Sequence, residues 1–137
     1  MNPEQTIKKK TVLLVDDDKF LLTMYILKFT NSGFIAEAAE SASAALQKLR
    51  DGLTPDIILA DLVMPGMDGL GFIRCLKEEG LAKGAPIVVL SNQGQTTEIE
   101  RAKELGVAGY IVKASTIPSE VVEEVKKILS KTTPKSL

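Results

Sequence analysis

Short runs of aliphatic residues alternate along this chain with longer segments of helical periodicity. Five of these runs predict β-strands, at Thr11 to Asp16, Phe34 to Ala38, Asp56 to Ala60, Pro86 to Ser91 and Val107 to Val112. Their nearly continuous apolar character is typical of strands that are covered on both faces. Strands that alternate with helices form βαβ units around a parallel sheet. The pattern therefore predicts an α/β fold with a doubly wound, five-stranded parallel sheet.

The helix boundaries are marked by capping residues and by glycines. The predicted helices begin near Asp18, Ser41, Asp68, Gly94 and Pro118, and several of these residues can cap free backbone amides. Four helices should end at glycines that adopt the left-handed conformation, namely Gly33, Gly52, Gly80 and Gly106. The last helix has one apolar stripe, formed by Val121, Val122, Val125, Ile128 and Leu129. This stripe predicts that the last helix covers the sheet.

The first predicted helix is more apolar than a sheet-covering helix needs to be. From Phe20 to Phe29 it is apolar on almost every side, whereas burial against one sheet requires a single stripe. Apolar surface in excess of what the core uses favours a partner. We therefore expect the first helix to contact another protein through residues that include Phe20, Leu22 and Ile26.

The fourth predicted helix has the opposite character. Its segment, Gly94 to Leu105, opens with Gly, Gln and Thr residues of modest helix propensity. Its apolar stripe consists only of Ile99, Ala102 and Leu105. We expect this helix to be the least firmly held of the five.

Length, charge and composition limit the possible functions. The chain has 137 residues, of which 45% are hydrophobic, and this suits one compact domain. Its 17 basic and 18 acidic side chains give a net charge of -1, so no direct binding to nucleic acid is expected. The chain has no histidine and one cysteine, Cys75. This composition excludes an internal disulfide, the usual zinc sites and any mechanism that needs an imidazole of its own.

The predicted domain spans residues 11–130. Residues 1–10 and 131–137 carry Pro, Lys, Ser and Thr without apolar periodicity, so we expect a flexible N-terminal arm and a flexible C-terminal tail. This division leaves no segment for a separate output domain. The apolar runs are far shorter than the ~20 residues that span a bilayer, so we expect no membrane segment and a cytoplasmic location.

Polar side chains stand at the ends of four of the five predicted strands. They are Asp16, Asp17 and Asp18 after the first strand, Asp61 after the third, Ser91 at the end of the fourth and Lys113 after the fifth. In an open parallel sheet the carboxyl ends of the strands lie along one edge, where ligands bind. These side chains are therefore expected to converge although they are distant in sequence.

The predicted cluster has the chemistry of a phosphoryl-transfer site. Neighbouring carboxylates repel one another by roughly 4 kcal/mol per close pair at an effective dielectric constant of about 20. Mg²⁺ would neutralise them, because it binds carboxylate oxygens and keeps waters for a phosphoryl group. Lys113 adds a positive charge suited to phosphate, and Ser91 adds a hydroxyl donor. Since Asp16 and Asp17 are placed as a metal-holding pair, we expect Asp61 to be the nucleophile and to form an aspartyl phosphate.

Four segments, in this order and spacing, resemble the receiver domain of two-component response regulators. They are Val15-Asp16-Asp17-Asp18, Asp61-Leu62-Val63-Met64-Pro65-Gly66-Met67-Asp68-Gly69, Ser91 and Gly109-Tyr110-Ile111-Val112-Lys113. The resemblance covers about residues 10–130. It implies the flavodoxin-like strand order 2-1-3-4-5, of which the chemotaxis receiver CheY is a known example.

The resemblance implies a role for each matching acidic residue. Asp61 would be the phosphoacceptor. Asp17, Asp61 and the backbone carbonyl of Val63 would be ligands of Mg²⁺, and Asp16 would act through a metal-bound water. Val63 and Gln93 would flank the phosphoryl group.

The resemblance also implies a switch. Ser91 would move its hydroxyl toward the phosphoryl group, Lys113 would form a salt bridge with that group, and Tyr110 would be an aromatic switch whose rotamer follows Ser91. Two positions depart from the family's pattern. Ala114 stands where a proline usually follows the lysine, and Asn92 follows Ser91 where a small residue is more common.

The leading functional hypothesis is a phosphoacceptor receiver in phosphorelay signalling, a regulator that assists its own phosphoryl transfer and dephosphorylation rather than an enzyme. The resemblance implies a histidine kinase or a histidine phosphotransfer protein as the phosphate donor, and this donor must be a separate protein because the chain has no histidine. Phosphorylation of Asp61 would bias the fourth helix and its neighbours between two arrangements and so control contact with a downstream protein target. We expect a monomer or a weak homodimer.

Two alternatives stay open at this point. One is an interaction domain that keeps the fold but works without phosphate, and the presence of every acidic and basic site residue argues against it. The other is a Mg²⁺-dependent phosphatase with its nucleophile at the first strand, because Asp16-x-Asp18 has the required spacing. Lys19-Phe20 does not supply the hydroxyl that should follow, and the chain leaves no room for a substrate cap.

Overall fold

A five-stranded parallel sheet forms the centre of the computed structural model, which describes residues 9–92 and 96–132. The strands are β1 (Thr11–Val15), β2 (Ile35–Ala39), β3 (Ile57–Asp61), β4 (Ile87–Ser91) and β5 (Gly109–Val112). Their order across the sheet is β2-β1-β3-β4-β5, and every neighbouring pair is parallel. The predicted doubly wound α/β fold with strand order 2-1-3-4-5 is therefore confirmed.

Five helices connect and follow the strands. They are α1 (Lys19–Asn31), α2 (Ala42–Arg50), α3 (Gly69–Glu79), α4 (Thr96–Glu104) and α5 (Pro118–Thr132), and a 3₁₀ turn spans Lys113–Ser115. The side chains of Asp18, Ser41 and Asp68 cap α1, α2 and α3 by accepting hydrogen bonds from backbone amides, as predicted. All four glycines that were expected to end helices have positive φ. Gly94, the predicted start of α4, lies outside the described residues.

The strand predictions need two corrections at the edges of the sheet. The second strand begins one residue later than predicted, and the fifth begins at Gly109 instead of Val107. The expected cover on both faces holds for β1, β3 and β4 but is wrong for the edge strands. In β2 only Ala39 is buried, and in β5 only Ile111 is buried. An edge strand has one neighbour, so the helices shield it less completely than they shield the centre.

The helices form a layer on each face of the sheet. Residues of α1 and α5 pack with alternate residues of β1, β3 and β4 in one cluster, and α2 and α3 pack against the other face. The five residues of the predicted α5 stripe are all buried. In α4, Ile99 and Ala102 are buried, and Leu105, just after the helix, is partly buried against them, as the sequence predicted. α5 continues to Thr132, so residues 131 and 132 of the expected tail are helical.

The outward face of α1 differs from the predicted one. Leu22, expected as a contact residue, is only 4% exposed and belongs to the core with Tyr25 and Phe29. Ile26 is partly buried against the same cluster. Phe20 is 75% exposed, as a contact residue should be. Helical spacing explains the error, because residues 22, 25, 26 and 29 recur every three or four positions and form the buried stripe.

Membrane insertion would require a long apolar helix. Within residues 9–92 and 96–132, no helix combines the length and the apolar character needed to cross a bilayer. The most apolar of the described helices, α1, has 13 residues, and its buried side chains are already used in the core.

Gly69 allows α3 to begin directly against the end of β3. A Cβ at this position would collide with the carbonyl oxygen of Asp61 and would lie 2.8 Å from the Cα of Leu62. The Gly69 N–H also donates a hydrogen bond of 2.8 Å to the Leu62 carbonyl. Any side chain at position 69 would therefore displace the backbone that carries Asp61.

We expect Gly69→Ala to lower the free energy of unfolding by roughly 1–3 kcal/mol, because the added methyl group meets backbone that must move. The gain of about 1 kcal/mol that alanine offers over glycine applies to a helix interior, and Gly69 is the first residue of α3, so this gain offsets little of the loss. Gly109→Ala is the matched control, since its Cβ would meet only Ile128 Cδ1, at 3.4 Å. Urea unfolding of the three proteins measures the difference, and a Gly69→Ala variant as stable as the wild type would contradict the close approach.

Candidate functional site

The strand register brings the predicted site residues to one edge of the sheet. β1 and β3 end in register, which places Asp16 beside Asp61. β4 and β5 end in register at Ser91 and Val112, so Lys113 emerges next to Ser91. The convergence expected from parallel strands is present, although these residues are far apart in the sequence.

Three carboxylates form a compact cluster at this edge. One oxygen each of Asp16, Asp17 and Asp61 lies within 4.8 Å of the others. Asp16 and Asp61 are buried, and Asp17 is exposed. Asp18 has a different task, since its carboxylate accepts a hydrogen bond of 3.1 Å from the Leu21 amide and caps α1. Asp18 is the second acid of the Asp16-x-Asp18 pair on which the phosphatase alternative depends, and here it has a structural role as a helix cap.

Lys113 bridges the two buried carboxylates. Its Nζ lies 2.8 Å from Asp16 Oδ2 and 3.2 Å from Asp61 Oδ2. The lysine reaches both although Ala114 follows it and every peptide bond of the described chain is trans. Burial lowers the pKa of Lys113, but hydrogen bonds and charge attraction from Asp16 and Asp61 outweigh burial and raise its pKa overall. Lys113 is therefore charged at neutral pH.

One lysine does not compensate the acidic groups fully. Burial and then the negative charge of Asp16 raise the pKa of Asp61 from 3.8 to about 6. The charge and hydrogen bond of Lys113, together with the backbone amide of Val63, pull this pKa down by less. Asp61 is ionised for the most part at pH 7, but its ionisation costs free energy in the folded protein. A second cation at the site would remove that cost.

The residues present fit a Mg²⁺ ion. Oδ1 of Asp61 is buried and lacks a hydrogen-bond partner among the described residues, and a buried acceptor in this state is costly. Mg²⁺ prefers hard oxygen ligands and is held by few carboxylates. The Asp16, Asp17 and Asp61 cluster offers such oxygens within ion-binding distance of one another.

The predicted switch residues, Ser91 and Tyr110, lie in different environments. Ser91 is completely buried, and its hydroxyl donates a long hydrogen bond of 3.4 Å to the Ile111 carbonyl. Tyr110 is 47% exposed, so its ring points outward. Val63 is exposed at the surface of the site, whereas Gln93 falls outside the described residues.

Sequence reasoning missed Tyr25. This α1 residue is buried, and its pKa is raised first by burial and then by the charges of Asp16 and Asp61, against the opposing effect of Lys113. Tyr25 is thus electrostatically coupled to the acidic cluster from the neighbouring helix. The one signal available was a tyrosine inside an otherwise apolar helical run.

A parallel sheet in this strand order, with acidic residues and a lysine at its carboxyl edge, defines the class of CheY-like receiver domains. Residues 12–126 match the family model described as the response regulator receiver domain. The chain belongs to this family. Receiver domains are regulatory proteins rather than classical enzymes, and the family is part of two-component systems.

The relatives found agree with this assignment. The phosphate regulon transcriptional regulatory protein PhoB of Escherichia coli (strain K12) is 30% identical over 125 residues, covering 91% of this chain and 54% of PhoB. The DNA-binding response regulator MtrA of Mycolicibacterium smegmatis is 33% identical over 118 residues, covering 86% of this chain and 50% of MtrA. The chain thus spans about half the length of these relatives.

Solved structures match over the whole length of single receiver domains. The chemotaxis protein CheY4 of Vibrio cholerae superposes with a TM-score of 0.81 at 25% identity, covering 88% of this chain and 99% of CheY4. A CheY-like receiver domain protein from Methanospirillum hungatei gives a TM-score of 0.79 at 26% identity, covering 91% of this chain and 98% of that one. Both comparisons support the fold and the family.

The raised pKa of Asp61 predicts that the effect of Asp61→Asn on the free energy of unfolding depends on pH. The folded wild type binds the Asp61 proton more tightly than the unfolded chain, so this stability is present below about pH 4 and is lost as pH rises to about 6. Asparagine has nearly the same shape and does not ionise. In Mg²⁺-free buffer with EDTA, we expect the free energy of unfolding of the variant, relative to that of the wild type, to increase by roughly 1–3 kcal/mol from pH 4 to pH 7. Urea unfolding across this range tests it, and a constant difference would contradict it.

Proposed function

We propose that Asp61 accepts a phosphoryl group from a phosphohistidine donor protein, and that this chain is a phosphoacceptor receiver of a phosphorelay. The observation that carries the proposal is the position of Asp61, which is buried, lies beside Asp16 and Asp17, and pairs with Lys113 at 3.2 Å. In the proposed site, Asp17, Asp61 and the Val63 carbonyl would hold Mg²⁺, and Asp16 would act through a water on that ion.

The chain's own residues explain how the transfer proceeds. A carboxylate oxygen of Asp61 attacks phosphorus, so a P–O bond forms as the donor's P–N bond breaks and the imidazole leaves. When bound, Mg²⁺ neutralises charge on the phosphoryl oxygens. Lys113 can exchange part of its pairing with Asp61 for the phosphoryl group, because its Nζ also remains 2.8 Å from Asp16. No general base is needed, since the attacking oxygen carries no proton once Asp61 is ionised.

Phosphorylation then changes the hydrogen bonding of Ser91 and the orientation of Tyr110. The Ser91 hydroxyl gives up a 3.4 Å bond to the Ile111 carbonyl, which is long enough to be weak, for a charge-assisted bond to phosphate. The outward ring of Tyr110 follows into the space that Ser91 leaves. This movement biases α4 and its neighbours, which present the surface read by a downstream protein.

Mass spectrometry with acetyl phosphate and Mg²⁺ tests the phosphoacceptor. We expect the wild type to gain one phosphoryl group that maps to Asp61, and we expect Asp61→Asn to gain none. Asp51→Asn is the control, because Asp51 is an exposed carboxylate at the end of α2. Label on Asp16 would favour the phosphatase alternative. Failure of any carboxylate to take label would favour an interaction domain that works without phosphate.

The donor protein is proposed to dock on an apolar surface beside the site. This docking surface consists of Phe20, Met24 and Leu27 on α1, with Ile117 and Pro118 at the start of α5. It begins two residues after Asp18, and a donor histidine has to approach Asp61 from this edge of the sheet. Its exposed apolar side chains favour a protein partner. The docking surface replaces the Leu22 and Ile26 contacts expected from the sequence.

Phe20→Ser should slow transfer from a protein donor by about tenfold, because a buried aromatic contact in an interface is worth more than 1 kcal/mol. Transfer from acetyl phosphate should be unchanged, since this small donor does not need the docking surface. Ile35→Ser is the matched control, as Ile35 is an exposed apolar residue on the edge strand β2. Rates are compared with any phosphorylated histidine phosphotransfer protein that labels the wild type. Equal rates for all three proteins would contradict docking through α1.

A further inference from the structure

Lys103 of α4 lies against the outward ring of Tyr110. Its Nζ is 5.1 Å from the ring centroid, which is within the range of a cation–π contact. We propose that Lys103 is a positioning residue that holds Tyr110 outward and thereby opposes the phosphorylated state of the site. The inference rests on the proposed function, because it concerns the regulation of that same site.

The placement of Tyr110 on the sheet brings its ring to α4. Tyr110 pairs in register with Val89, whose side chain packs with Ile99 and Ala102 beneath α4. The ring therefore lies on the face that α4 covers, but it is 47% exposed and extends past the apolar cluster. The ammonium group of Lys103 contacts the ring at this half-exposed position.

Lys103 is itself oriented by its own helix. Its Nζ lies 3.5 Å from Glu100 Oε2, one helical turn earlier. The carboxylate holds the ammonium group near the ring, so Glu100, Lys103 and Tyr110 connect α4 to β5. α4 has only two buried side chains, Ile99 and Ala102, and this connection adds a contact to β5 outside the apolar cluster.

An inward turn of Tyr110 has to break the contact with Lys103. A cation–π contact at a half-exposed position shifts a two-state ratio by about two- to fivefold. A ligand that favours the inward state has to bind against this bias. As long as the outward state predominates in the free protein, removing the bias increases the apparent affinity for the ligand by the same factor. Lys103 would thus lower the basal switching of the unphosphorylated protein.

Lys103→Gln tests the inference, because it removes the charge but keeps a polar side chain. Lys103→Arg should restore the wild-type behaviour, since a guanidinium group also binds the face of an aromatic ring. Lys126→Gln is the matched control. Lys126 pairs with Glu123 at the same spacing and the same 3.5 Å distance on α5, with similar exposure.

The readout is ¹⁹F NMR of protein labelled with 3-fluorotyrosine, titrated with beryllofluoride and Mg²⁺ as a phosphoryl mimic. The chain has two tyrosines, and Tyr25 is buried, so the Tyr110 signal is readily assigned. Without ligand, we expect the Tyr110 signal of Lys103→Gln to move toward its beryllofluoride-bound position. Beryllofluoride should bind Lys103→Gln about two- to fivefold more tightly than the wild type. Lys103→Arg and Lys126→Gln should match the wild type.

The outcomes separate this inference from the proposed function. Equal affinities and equal Tyr110 signals in the wild type and Lys103→Gln would overturn the role of Lys103 and leave the phosphoacceptor site intact. The same change in Lys126→Gln would also overturn it, because the effect would then belong to net charge. If the wild type does not bind beryllofluoride, the proposed function fails, and the inference fails with it.

Discussion

The burial of two carboxylates beside one ammonium group constrains the rest of the structure. Asp16 and Asp61 lie at the ends of adjacent central strands, and Lys113 reaches both from the end of β5. The three groups carry one negative charge in excess, and the pKa of Asp61 is raised to about 6. Removal of the lysine would leave two like charges buried together, which is far more costly than an exposed pair. The site is therefore incompletely neutralised, and this state favours a divalent cation.

Most of the fold could be predicted because local and long-range signals agree. Asp18, Ser41 and Asp68 cap helices where the sequence indicated, and strands that alternate with helices allow few topologies other than a parallel sheet. The errors arise where tertiary position decides the outcome. β2 and β5 are apolar like the central strands, but their edge positions leave them partly open. In α1, a helix that is apolar all round does not reveal which stripe faces the core, and Leu22 was misplaced for that reason.

The candidate site was predictable to the level of residues but not of contacts. Parallel topology alone requires Asp16, Asp61, Ser91 and Lys113 to meet, because each follows or ends a strand. Topology does not determine which oxygens Lys113 bridges, since this depends on the conformation of a long side chain. The coupling of Tyr25 to the acidic cluster could not be predicted without knowing how α1 packs against the sheet. The contact between Lys103 and Tyr110 likewise could not be predicted without knowing where α4 lies relative to β5.

The sparse anchoring of α4 has a consequence for how this protein can change over evolutionary time. Ile99 and Ala102 are its buried residues, and most other positions of the helix face solvent. Substitutions at these outer positions alter the shape and charge offered to another molecule while sparing the hydrophobic core. Under the proposed function, outer positions of α4 other than Glu100 and Lys103 could therefore be substituted without affecting the acidic site, so one phosphorylation chemistry could be matched to new targets by changes on a single short helix.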